Sequence, residues 1–273
     1  MKYLYFLVLL AFGLSGCVKN NPLPVWLDIK EWTLQSNGAS GSHNPGALTH
    51  NFSDVWVYVD GKIIGVFEVP CKIPVLVSGS CKVTLYPAIR NNGLAATKKI
   101  YPFVNYHEET LDLVEGQTYT FTPKTQYISS TFFSIEDFDG STVTITKDAS
   151  VSSQNLEMTI ETNGPWDNYG HLSLNSTDNL WVGVLPQLAL PKSGAEVYLE
   201  IDYKNTNTIL TGMTEIQSGG TQVDHPGFSL SRQSSSELRW KKIYIDLKDV
   251  VSNTPNGLSY KQYLRMLLDT DLS

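Results

Sequence analysis

Along most of this chain apolar and polar residues alternate with a period of two, in runs bounded by Gly, Asn, Pro and Ser. Such alternation sends successive side chains to opposite faces and reads as strands and turns. A helical period is nearly absent. Val25 to Leu34 reads as a first strand, and Ser36 to His50 as a Gly/Ser/Asn-rich loop. Asp54 to Gly65 reads as two strands about Asp60-Gly61, a strong hairpin signal. Cys71 to Val77 and Cys81 to Tyr86 are expected to form a second hairpin about Ser78-Gly79-Ser80. Leu111 to Val114 and Gln117 to Thr122 are expected to close a third about Gly116. Beyond a boundary near Tyr127 to Thr131, further strands are expected at Val143 to Thr146, Leu156 to Thr162, His171 to Leu174 and Leu180 to Leu185. Glu196 to Tyr203, Thr208 to Ile216, Trp240 to Leu247 and Tyr263 to Leu268 complete the series.

The first residues break this pattern. Lys2 is followed by an apolar run from Tyr3 to Phe12. A bilayer span takes about 20 apolar residues, so the run is too short to cross but fits the apolar core of a secretory signal. Leu14-Ser15-Gly16-Cys17 then resembles the lipobox of bacterial lipoproteins. The resemblance implies a signal peptide over 1–16, cleavage before Cys17, and lipid on the Cys17 thiol and its new amine. Residues 17–24 read as a polar, Pro-containing tether. The mature chain would be membrane-bound without a transmembrane helix. The chain as a whole resembles lipoproteins of Bacteroidota, in which an acidic cluster after the Cys marks export to the surface. Val18-Lys19-Asn20-Asn21 has none, which favours the periplasmic face of the outer membrane.

The 273 residues carry a formal net charge of −7. No basic stretch could track phosphates, which argues against nucleic acid. With Cys17 assigned to lipid, Cys71 and Cys81 remain, in a compartment where disulfides persist. They are either a bridge across their hairpin or two small buried side chains. No His stands at zinc-ligand spacing from them.

Val55 to Tyr86 resembles a PEGA-type small β-domain. The matching features are the strand before Asp60-Gly61, then Gly65, Pro70, and Gly79 before Lys82-Val83-Thr84-Leu85. Gly65 to Pro70 is longer than the family's Gly-x-x-Pro step. Such domains are interaction modules rather than enzymes. Residues 129–273 resemble galactose-binding-like, carbohydrate-module jelly rolls, through the alternating strand Val197 to Lys204 and the strand that Trp240 opens. The expected fold class is therefore all-β: a small PEGA-like sandwich over 25–128, then a jelly-roll sandwich over 129–273. A sandwich of this kind usually adds one strand after the one near Leu264. Its absence would leave an unpaired edge, to be met by a partner, by a different topology or, as favoured here, by a longer natural chain.

Candidate chemistry is sparse. Glu108 and Glu109 are neighbours on a strand and point apart, so they cannot share a substrate. Glu136, Asp137 and Asp139 offer carboxylates to a structural calcium ion but lack an EF-hand spacing, so a polar turn is the plainer reading. No other cofactor is indicated. The five His form no metal pair, and no Gly-x-Ser-x-Gly elbow is present. No catalytic set is expected. Trp166, Asn168 and Tyr169 stand in a polar loop, where exposed rings could stack on sugars while Asn and Asp bond hydroxyls. Trp181 lies in a strand and is expected in the core. The expectation is a non-enzymatic, lipid-anchored protein that binds or scaffolds envelope partners. Glycan capture by the C-terminal half is the alternative.

Overall fold

The structure is a computed structural model that describes residues 21–140, 142–164 and 166–271. Cys17 lies outside the described residues. The fold is all-β and of sandwich type, as the alternation requires. The N-terminal half contains β1 (Val25–Ile29), β2 (Thr33–Gln35), β3 (Asp54–Val59), β4 (Lys62–Glu68) and β5 (Cys71–Val75). It continues with β6 (Gly79–Arg90), β7 (Lys98–Ile100), β8 (His107–Leu113), β9 (Thr118–Phe121) and β10 (Lys124–Gln126). One sheet runs β4-β3-β6-β7, with β8 also on β6. The facing layer is β5-β1-β9 and the short pair β10-β2. Val55, Val57 and Val59 point into the core with Leu27, Ile73, Val83, Leu85 and Phe121. Trp56, Tyr58 and Tyr86 stand on the opposite face of their sheet, joined by the exposed Tyr106.

The Asp60-Gly61 hairpin forms, with Val59 opposite Lys62. Both turn residues take positive φ, 48° and 75°, as a two-residue turn of this hand requires. The other two expected hairpins do not form. β5 pairs with β1, whereas β6 pairs with β3, β7 and β8. β8 joins β6, whereas β9 pairs in parallel with β1. Both connections are arches between sheets. Alternation fixes which face of a strand is buried, and an arch satisfies that as well as a hairpin does. Of the two readings of Cys71 and Cys81, the bridge falls with its hairpin. Cys71 stands opposite Ile29 in one sheet and Cys81 opposite Leu111 in the other. Both thiols are free, and burial pushes both up.

The C-terminal half contains β11 (Thr146–Lys147), β12 (Thr159–Glu161), β13 (Tyr169–His171), β14 (Leu180–Val184) and β15 (Tyr198–Tyr203). Then come β16 (Ile209–Gln217), β17 (Gln222–Leu230), β18 (Lys241–Asp246), the short helix α1 (Lys248–Ser252) and β19 (Gly257–Leu267). A five-stranded sheet runs β11-β14-β19-β16-β17, and β15 and β18 form a two-stranded ribbon facing it. β19 is paired on both sides, by β14 and β16, so the strand expected to lack a neighbour has two. The edge beyond β16 is β17, a strand hidden in the sequence by Pro226 and Gly227. Proline is tolerated there because β17 is the sheet edge and needs no further N–H pairing. Trp181 is 1 % exposed and lies over Gly183, where any Cβ would meet its ring.

The ribbon of β15 and β18 is a shared wall. Leu199, Ile201, Ile243 and Ile245 face the C-terminal core. The alternate positions Tyr198, Glu200, Asp202, Lys242, Tyr244 and Asp246 face the N-terminal half. Tyr244 is buried in the N-terminal core cluster, 4.8 Å from the Tyr101 ring centroid, and its hydroxyl accepts the Asn51 N–H at 2.9 Å. Tyr101 and Tyr127 donate to Glu200, the latter at 3.0 Å. The Lys242 ammonium, 8 % exposed, reaches Glu200 at 2.8 Å, Thr49 at 2.9 Å and Asp202 at 3.3 Å. Burial pushes the Asp202 carboxyl up, with Lys242 and Thr49 opposing. At the other end Lys99 bonds Asp246 at 2.9 Å and Glu196 at 3.2 Å. Burial works against the Asp246 carboxylate, but the bonds from Lys99 and the Lys248 N–H outweigh it and hold its pKa below the usual value.

Lys242→Met leaves two carboxylates without their cation and is expected to cost about 3–5 kcal/mol in a urea titration. A loss under about 1 kcal/mol, typical of a surface pair, would refute this account. A second expectation concerns His50, which stacks on Phe52 with centroids 4.9 Å apart. Burial, helped by the Lys242 charge, holds its imidazole below 6.5. The unfolded chain therefore binds the proton better. The stability from neutral His50 is fully present above that value and is lost as pH falls through the depressed one. Unfolding free energies measured from about pH 8 to about pH 5 should fall more steeply in the wild type than in His50→Gln. Parallel curves would remove His50 as the cause.

Candidate functional site

The loop residues singled out in the sequence come together on the ribbon of β12 and β13. Glu161 stands opposite Tyr169, and Thr159 opposite His171. The Tyr169 hydroxyl donates to Glu161 Oε2 at 2.8 Å, and His171 Nδ1 lies 2.7 Å from Glu161 Oε1. The Glu161 bond, with burial second, pushes the Tyr169 hydroxyl up. Ile160 and Gly170 occupy the alternate positions. A Cβ at Gly170 would sit 2.6 Å from Met158 Sδ and 2.8 Å from the Phe138 ring. Glycine thus lets two apolar side chains close behind the ribbon.

The ring that completes the group comes from elsewhere in the chain. Trp240, just before β18, lies 5.1 Å from Tyr169 at 78° and 5.8 Å from Trp166 at 55° between ring centroids and planes. All three rings are partly exposed. They form a corner of tilted faces rather than a closed stack. Just upstream of Trp240, Ser236, Glu237, Leu238 and Arg239 line an open depression. Asn168 ties the loop down: its Nδ2 donates to Asp139 Oδ1 at 2.7 Å and to the Phe138 carbonyl at 3.4 Å. The backbone is strained here. Phe138, Asn163 and Asp167 take φ of 60°, 71° and 128°, and such conformations cost on the order of 1–3 kcal/mol each. The Gly164 N–H bond to the Asp167 carbonyl, 2.8 Å, helps hold the loop in this form.

Sequence reading found Trp166, Asn168 and Tyr169 but missed Trp240, Glu161 and His171. The opposition of Glu161 to Tyr169 was available only with the ribbon's register. Trp240 was noticed only as the opening of an alternating strand, because nothing local in the sequence brings it to the loop of Trp166 and Tyr169. Glu136, Asp137 and Asp139 form the polar turn that was the plainer reading of them. Glu136 accepts from the Phe138 N–H at 2.8 Å and from Thr144 Oγ1 at 2.6 Å. Asp137 accepts from the Asp139 N–H at 3.1 Å, and Asp139 binds Asn168. The three carboxylates build turns and do not converge. Among the described residues no group of His, Cys, Asp and Glu could hold a metal ion. Glu108 and Glu109 do point apart, Glu108 to Thr84 at 3.0 Å and Glu109 to His107 at 2.8 Å.

What the corner offers chemically is apolar ring faces beside two fixed polar groups, the Glu161 carboxylate and the His171 imidazole. No family model matches this chain, and no curated protein matches it. Among solved structures it is similar to the enzymatically active domain of tailspike protein 4 of bacteriophage CBA120, with a TM-score of 0.35 and 12 % identity. The match covers 46 % of this chain and 17 % of that one, so only a small part of the phage protein is spanned. A likeness at that level carries nothing about fold or activity. The class defined by the structure is an all-β protein of sandwich type.

Replacing Glu161 by Gln removes the carboxylate that keeps the Tyr169 proton in place. The Tyr169 hydroxyl should then titrate lower, toward the ordinary 10.0. Tyrosine ring resonances followed by NMR across the alkaline range check this, and an unmoved Tyr169 would show that the bond does not form in solution.

Proposed function

We propose that this protein is a non-enzymatic lipoprotein, held by lipid on Cys17 at the periplasmic face of the outer membrane, that captures a glycan on the corner formed by Trp166, Tyr169 and Trp240. The observation that carries the glycan reading is the meeting of three part-exposed rings from two distant segments, 5.1 and 5.8 Å apart. Sugar rings present C–H faces that lie on aromatic surfaces, and their hydroxyls need the donors and acceptors around them. Glu161 and His171, joined to Tyr169 through the Glu161 carboxylate, are the polar groups nearest the rings, and Asn168 holds the loop that carries them. A site of this kind takes a few fixed polar groups within a mainly apolar surface. The lipid anchor rests on Leu14-Ser15-Gly16-Cys17.

The mature chain is to be screened on an array of bacterial and plant polysaccharides, with Trp240→Ala and Tyr169→Ala beside it. Each substitution should weaken binding about tenfold, which corresponds to about 1.4 kcal/mol, with the far-ultraviolet spectrum unchanged. Absence of binding by the wild type, or equal binding by all three, would sink the proposal.

A further inference from the structure

The end of the N-terminal sandwich where the chain enters carries three exposed aliphatic side chains. Leu76 is 70 % exposed, Leu23 63 % and Val114 53 %. Sheet register brings them together. Val25 pairs with Val75, so Leu76 lies beside Pro24. On the other flank, the Trp26 N–H bonds the Gln117 carbonyl at 2.8 Å and the Gly116 N–H bonds the Pro24 carbonyl at 3.1 Å. Val114 opens that same turn, whose Gln117 N–H returns to its carbonyl at 3.1 Å. Leu23 closes the gap, with its Cδ1 3.7 Å from where a Gly116 Cβ would be. The entering strand is thus bracketed by Leu76 on one side and Val114 on the other.

None of these residues contributes to the core, and soluble surfaces seldom gather aliphatic side chains at one tip without a partner. We infer that this tip docks on the lipid surface into which the Cys17 acyl chains insert, an inference that rests on the lipoprotein reading. Distance supports it. Leu23 is six residues from Cys17, and six residues span at most roughly 20 Å when fully extended. Of the two ends of β1, the one at Val25 is therefore kept near the membrane. The contact is apolar rather than electrostatic, because the chain has a net charge of −7 and its turn carries Glu115. Side chains of this size settle at the boundary between headgroups and acyl chains. The tip would then fix the body's tilt, which a lipid on a free tether cannot do.

The test uses the full chain made in bacterial cells, with the photoreactive residue p-benzoyl-phenylalanine at Leu76, Val114 or Leu258. Leu258 is 65 % exposed and lies on β19, in the other half of the molecule. Each protein is placed in vesicles of phosphatidylethanolamine and phosphatidylglycerol with alkyne-tagged acyl chains, irradiated, and weighed by mass spectrometry. The expected result is an acylated Cys17, lipid adducts at 76 and 114, and none at 258. Acylated Cys17 with no adducts at 76 and 114, or with equal adducts at all three positions, overturns the docking tip and leaves the lipoprotein reading standing. An unacylated Cys17 overturns that reading and the tip with it.

Discussion

Lys242 and the two carboxylates it serves hold the junction on which the rest of the molecule depends. Glu200 and Asp202 point from β15 toward the N-terminal half, next to each other on one face of the ribbon. Half-buried in the seam without a cation, they would repel each other and lose part of their water. Lys242, opposite Asp202 in the register, reaches both. Tyr101, Tyr127 and Thr49 supply the remaining hydrogen bonds from the N-terminal side. A buried ionic group need not stabilise more than an apolar one would. What it does here is join the halves, because the ribbon's carboxylates meet Lys242 on the neighbouring strand and Tyr101, Tyr127 and Thr49 on the N-terminal side.

That junction also sets the candidate site. β18 starts at Lys241, directly after Trp240, and runs into the seam through Lys242, Tyr244 and Asp246. The Trp240 ring therefore leaves a strand clamped on both faces. Trp166 and Tyr169 come from a loop that is strained at Asp167 and tied to Asp139 by Asn168. Rigid support on one side and an over-determined loop on the other give a binding surface little freedom to lose when a ligand arrives.

The interior was largely legible from the alternation of residues. Val55, Val57 and Val59 turn inward, Trp56 and Tyr58 outward, and Asp60-Gly61 makes the expected turn. Trp181 is core, as its strand position implied. Strand partners were not legible. The segments after Val75 and Leu113 look like hairpin turns but carry the chain to the other sheet. β17 was concealed because Pro226 and Gly227 read as a break, although an edge strand tolerates both. Half of the site was legible for a related reason: polar loops with aromatics attract notice, whereas Trp240 was seen only as the opening of a strand far away in the sequence.

The sequence by itself determined an all-β body and the face on which most side chains lie, because both follow from a local period. It also carries the Leu14 to Cys17 motif, which is read without any folding. Tertiary structure decided what the polar faces are for. Tyr198, Glu200 and Asp202 alternate with Leu199, Ile201 and Tyr203 as a solvent-facing strand would. In the folded chain that polar face is the seam between the halves, since Glu200 meets Tyr101, Tyr127 and Lys242 there. A charge in a sequence has no partner until a distant segment arrives, so a local pattern cannot distinguish a residue that meets water from one that meets its counter-ion.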